Sequence, residues 1–196
     1  LWSKSFGIVS QDYSERTFIT EGIDSNYIIA WGNFIGTLNY VFKLDPNGNE
    51  VWSNTIDGAS PLVANVIIQA PDSSIYIGGR LAWNVGSLMK LNNDGQLIWV
   101  KSFDSGEIDD LVVVDDSIYA ICADFSMDSP ALVVMDTSGI VSWSNLYNGQ
   151  YLDASEPNLR LRMFLASDST LIFQSPSLMI SNNVISLVDR DGTIIS

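Results

Sequence analysis

Apolar residues in this chain come in short runs cut apart by Asp, Asn, Ser and Gly. Val66-Ile67-Ile68, Ile75-Tyr76-Ile77, Leu88-Met89-Lys90-Leu91 and Leu97-Ile98-Trp99-Val100 follow one another in this way. The runs are rich in β-branched and aromatic side chains and bounded by turn formers, which predicts strands. None is long enough at a period of 3.6 residues to make an ordinary helix.

The runs recur. Segments made of an apolar run, Asp or Asn, two turn residues and Gly are followed, after three more residues, by Trp. They are Val41 to Trp52, Leu88 to Trp99 and Leu132 to Trp143, with a last copy from Ile185 to Gly192. Their glycines, Gly48, Gly95, Gly139 and Gly192, are 47, 44 and 53 residues apart. A second marker, at Asp24-Ser25-Asn26, Asp72-Ser73-Ser74, Asp115-Asp116-Ser117 and Asp168-Ser169-Thr170, keeps the same phase with spacings of 48, 43 and 53. Two markers that drift together define a repeat, and a repeat of this length holding four strands is the signature of a propeller blade. The predicted fold is all-β: a propeller of four four-stranded antiparallel blades forming one domain over residues 1–196. The units run over about 8–58, 59–106, 107–149 and 150–196 plus 1–7.

The phase of the ends adds an expectation. Leu1-Trp2-Ser3-Lys4-Ser5-Phe6-Gly7 matches the outermost strand of the other units, and the last unit lacks that strand. The N-terminal strand is therefore expected to complete the last blade. The same phase lets one subunit donate this strand to another and build a filament. A shared eight-bladed ring and a piece of a longer propeller are the other architectures that fit. Leu1, Trp2, Lys4 and Phe6 become interface candidates, joined by Arg160 and Arg162, which alternate along one strand after the longest insertion.

The segments Phe42-Lys43-Leu44-Asp45-Pro46-Asn47-Gly48-Asn49-Glu50-Val51-Trp52-Ser53 and Ser74-Ile75-Tyr76-Ile77-Gly78-Gly79 resemble the β-propeller repeat of secreted and surface bacterial proteins (the SBBP type). They are also similar to the repeats of pyrroloquinoline-quinone-type propellers. The resemblance covers nearly the whole chain and weakens in the fourth unit, where Leu171-Ile172-Phe173-Gln174 replaces the Ile-Tyr pattern. It implies an extracellular or cell-surface module without catalysis of its own.

Composition narrows the chemistry. The chain of 196 residues has no histidine, which excludes a Ser-His-Asp triad, a His-ligated metal and an imidazole switch. Nine basic residues stand against 23 acidic ones, and the net charge of −14 repels nucleic acid and anionic lipid. No apolar stretch is long enough for a membrane-spanning helix. Cys122, alone in its apolar run, reads as a small buried hydrophobe. The chain starts at Leu1 without methionine, as a processed protein or a piece of a longer one would, and none of its asparagines forms a glycosylation sequon.

Four groups of residues carry candidate chemistry. Asp45 with Asn47, and Asp189 with Asp191, match the start of an oxygen-ligand calcium loop but lack the later carboxylates, so hairpin turns explain them better. Trp2, Trp52, Trp99 and Trp143 recur once per unit and are expected to pack between blades. Trp31 and Trp83 stand outside the repeat, in the connections after second strands, and with Asn33, Arg80 and Asn84 they form the candidate ligand site. Glu107, Asp109 and Asp110 are expected to form a solvated edge rather than the paired carboxylates of a glycosidase. The expected function is assembly or protein contact without an enzymatic step and without a cofactor, the partner being a second copy or another surface protein. A lectin-like module binding glycan is the alternative, and a fragment of a quinone-dependent or hydrolytic propeller enzyme is a weaker third.

Overall fold

The computed structural model describes residues 3, 16–32, 39–56, 63–82, 85–104, 106–124, 129–147, 161–166, 170–175 and 184–195. Within them lie fifteen strands: β1 Arg16–Glu21, β2 Tyr27–Gly32, β3 Asn39–Leu44, β4 Glu50–Ile56, β5 Val63–Gln69, β6 Ile75–Ala82, β7 Val85–Leu91, β8 Leu97–Phe103, β9 Glu107–Val114, β10 Ser117–Asp124, β11 Ser129–Asp136, β12 Val141–Leu146, β13 Arg162–Leu165, β14 Thr170–Ser175 and β15 Val184–Asp189. They form four sheets in chain order, β1-β2-β3-β4, β5-β6-β7-β8, β9-β10-β11-β12 and β13-β14-β15. The last sheet has three strands among the described residues. The segment 1–7 lies outside them apart from Ser3, so Leu1, Trp2, Lys4 and Phe6 have no described place.

In the first three sheets both sequence markers are hairpin turns at the same end of the sheet; Asp168 and Ser169 of the fourth lie outside the described residues. The third and fourth strands are joined by turns in which the amide of the Gly donates to the carbonyl of the residue three before it, as from Gly48 to Asp45 at 2.9 Å and from Gly95 to Asn92 at 3.0 Å. Gly48, Gly95, Gly139 and Gly192 all have φ between 76° and 82°, a region that disfavours any side chain. The first and second strands are joined by the Asp-Ser turns, in which Ser25 and Ser73 take positive φ. In the third sheet the positive φ moves to Asp115, and the loop shrinks to the pair between Val114 and Ser117. That shortening accounts for part of the reduced spacing seen in the sequence.

The chain divides into two compact units, one of Leu1–Ala82 with Ser87–Ser102, the other of Trp83–Gly86 with Phe103–Ser196. In the first, sheets β1–β4 and β5–β8 pack over Ile28, Ala30, Val41, Ile75, Ile77 and Met89, all buried. In the second, Ile121, Leu132, Leu161, Met163, Leu171 and Val188 do the same between β9–β12 and β13–β15. The second strands β6 and β10 are buried continuously, at Ile75, Tyr76 and Ile77 in β6 and from Ile118 to Ala123 in β10. Outermost strands face solvent and alternate instead, as β4 does. Cys122 is buried, as its apolar run predicts.

Candidate functional site

Two of the recurrent tryptophans, Trp52 and Trp143, hold neighbouring sheets together at the turn end. In the first unit Trp52, on β4, lies over Gly95 in the turn of the next sheet, and its Nε1 donates to the Asn93 carbonyl at 3.0 Å. A Cβ at Gly95 would stand 2.5 Å from the Trp52 ring. Two residues on, Asn54 Nδ2 donates to the Asp94 carbonyl at 3.2 Å. The second unit repeats the arrangement: Trp143 covers Gly192, and Asn145 Nδ2 donates to the Gly192 carbonyl at 3.0 Å. Tyr147 adds its hydroxyl to the same carbonyl at 3.0 Å, and burial pushes that phenol up to about 12. Inter-blade packing is therefore the role of Trp52 and Trp143. The asparagine two residues after each of them is a partner that the sequence reading missed, although the shared spacing carries the signal.

Around this clamp the first unit builds a polar network. Lys43, only 2% exposed, ion-pairs with Asp24 at 2.7 Å and donates to Asn93 Oδ1 at 2.7 Å. Gln69 donates to Asn93 Oδ1 at 3.0 Å and accepts the Ile23 amide at 3.1 Å. Desolvation alone would raise the Asp24 carboxyl, but the Lys43 ammonium and local amides hold it below its ordinary range. In the second unit Arg190 reaches Asp115 at 3.1 Å, tying together turns of two sheets.

The turn aspartates are occupied by their own loops. Asp45 Oδ1 accepts the Asn47 and Asn49 amides, each at 2.8 Å, and Oδ2 accepts Asn49 Nδ2 at 2.8 Å. These donors, the Asn49 side chain first, lower the Asp45 carboxyl. Asp189 Oδ1 likewise accepts the Asp191 and Thr193 amides at 3.1 and 2.8 Å. Among the described residues, no group of His, Cys, Asp or Glu side chains is placed to hold a metal ion.

Of the ligand-site candidates, Asn33, Trp83 and Asn84 lie outside the described residues. Trp31 does not sit in a connection: it belongs to β2, in register with Tyr40, because the strand runs on through Gly32. The Trp31 and Tyr40 ring centroids are 5.2 Å apart, and Tyr40 stacks with Phe42 at 6.2 Å. A small pocket beside Trp31 and Tyr40 is otherwise lined by aliphatic residues such as Val41, Ile77 and Met89. Arg80 is half-buried on β6, in register with Val63.

The acidic cluster is not a solvated edge. Glu107 and Asp109 are buried, because β9 carries a bulge at Asp109 between the Ile108 and Asp110 pairings, and a bulge re-aims side chains. Asp109 Oδ2 accepts the Leu161 amide at 3.0 Å, and Asp110 Oδ2 accepts the Met163 amide at 3.1 Å, so the two carboxylates bind the backbone leading into the neighbouring sheet. Burial raises both, Asp109 well above the usual carboxylate range, with the Glu107 charge adding to it. Of the two arginine candidates, Arg160 lies outside the described residues; Arg162 is exposed on β13, and its charge partly offsets these shifts.

Large aliphatic side chains stand in solvent at the turn end of the sheets. Ile23, Val51, Leu97 and Ile98 do so in the first unit, and Ile140, Val141 and Ile194 in the second. Each of the last six lies within three residues of a turn glycine.

No family model matches the chain, and no curated protein is similar to it in sequence. Solved structures resemble it in fold. BBS1N, solved in complex with ARL6DN, shares 13% identity at a TM-score of 0.59, covering 92% of this chain and 52% of that one. Kuenenia stuttgartiensis hydrazine synthase shares 11% identity at 0.59, covering 96% of this chain and 68% of that one. Both are β-propeller proteins. The fold is a β-propeller. The chain spans about half the length of BBS1N, and likenesses at this identity speak for the fold alone.

Proposed function

We propose that this chain is a non-catalytic propeller module of the SBBP type that works in protein contact at an extracellular or cell-surface location. The observation that carries this reading is the aliphatic side chains left in solvent at the turn end of successive sheets. They recur with the repeat, in the turns or on strand ends beside them, and exposed apolar patches on stable proteins mark interaction sites. The BBS1N propeller was solved in complex with a partner protein, which supports the reading by analogy of fold. Self-association belongs to the proposal: β15 has no fourth strand among the described residues, and the N-terminal segment bearing Trp2 and Phe6 has the sequence pattern of one. Light scattering tests this part. A species larger than one chain that reverts to a monomer on removal of residues 1–7 supports strand exchange, and a monomer unaltered by concentration counts against it.

A carbohydrate-binding role is the second reading, favoured by the aromatic row Trp31, Tyr40 and Phe42. A glycan array decides it: saccharide binding abolished by Trp31→Ala supports a lectin, and an array without signal removes it.

A further inference from the structure

The turn end of the first unit combines two properties that together specify a partner. Ile23, Val51, Leu97 and Ile98 are there, Ile23 exposed by 56% and Leu97 by 44%. Among them stand the exposed carboxylate of Asp94 and the half-buried Asp45, whose oxygens accept from its own loop. The positive charges at this end are drawn inward, Lys43 onto Asp24 and Lys90 towards Asp72 at 3.9 Å. The network of Lys43, Asn93 and Gln69 ties three of the turns to one another, so the surface is rigid before anything binds.

We infer that this end of the first unit docks a segment of a partner protein in which lysines or arginines alternate with aliphatic side chains. The inference rests on the contact-module reading above and names its surface and partner chemistry. Charge complementarity chooses the occupant. A second copy would bring a chain of net charge −14 against an acidic face, and phosphate-bearing partners are repelled for the same reason. Aliphatic side chains on the partner cover the exposed isoleucines and leucine, which give affinity, while the basic groups set orientation and speed of encounter.

Calorimetric titration of the whole chain with short peptides tests this. The probes are a Lys-Leu alternating peptide, a Lys-Ser peptide that keeps only the charge, and a Glu-Leu peptide that keeps only the apolar part. The Lys-Leu peptide is expected to bind saturably and more weakly as salt rises. Leu97→Ser with Ile98→Ser should weaken it about tenfold, and Asp94→Lys by a similar factor, about 1.4 kcal/mol each. Leu146→Ser, an exposed change at the far end of β12, should leave binding unaltered. Thermal melts of each variant establish that these surface changes leave the fold intact. Equal binding of the Lys-Ser peptide, or indifference to the Leu97/Ile98 double change, overturns the proposal. The wider reading is checked apart from it, by cross-linking the whole protein in extract of the organism that makes it. A saturable partner whose capture ignores these variants sinks this surface and leaves the contact module standing; no partner together with no peptide binding sinks both.

Discussion

The indole of Trp52 covers the α-carbon of Gly95, and Trp143 stands over Gly192 in the same way. Each pair joins the last strand of one sheet to a turn of the next, and each glycine is doubly constrained, by the ring above it and by a positive φ.

Gly95→Ala and Gly192→Ala should each destabilise the chain by about 2 kcal/mol or more, since the added methyl both meets the indole and strains the backbone. Urea unfolding measures this. A loss below about 0.5 kcal/mol would mean that the ring moves aside freely.

Asn54→Ala and Asn145→Ala each remove one donor from the clamp and should cost about 1 kcal/mol, whereas Ser144→Ala, exposed beside Asn145, should fall within about 0.5 kcal/mol of wild type. Equal effects of Asn145→Ala and Ser144→Ala in chemical denaturation would deny the asparagine its role.

Burial raises the Asp109 carboxyl, so the folded chain takes up a proton there more readily than the unfolded chain. Its contribution is favourable below the unfolded value and is lost as pH rises through the folded one. Asp109→Asn keeps an oxygen to accept the Leu161 amide and removes the buried charge, so it should stabilise the protein at neutral pH, with the gain vanishing in acid. Melting curves across pH check the trend, and a difference independent of pH would refute it. Asp45 and Asp136, held low by loop donors, act in the opposite sense: their stabilisation is present at neutral pH and disappears on acidification through their depressed values.

Leu132→Ala, in the buried face of β11, should cost about 2–5 kcal/mol through lost burial and the cavity left behind. Circular dichroism during denaturant titration reads it.

The strands and turns were legible because the repeat writes them four times, and turn chemistry at Asp45 and Gly48 or Asn92 and Gly95 has one backbone solution. Trp31 was misread as a loop residue because it stands outside the repeat, where periodicity gives no guidance, while β2 in fact continues through it. The burial of Glu107 and Asp109 was hidden for another reason. Charged side chains near a strand start ordinarily face water, and a bulge, which leaves no mark in composition, turned these inward. The partners of Trp52 and Trp143 were half legible: packing followed from recurrence, but the asparagine amides needed coordinates to show which carbonyls they reach.

The clamp also has a direction. Trp52 reaches forward to a turn that the ribosome has yet to make, and Trp143 does likewise. A nascent chain stopped before Gly95 leaves that indole uncovered and its N–H wet, so the first sheet stays provisional until the second has emerged. Synthesis from the amino end thereby secures the first sheet only when the second is made, and the third only when the fourth is made.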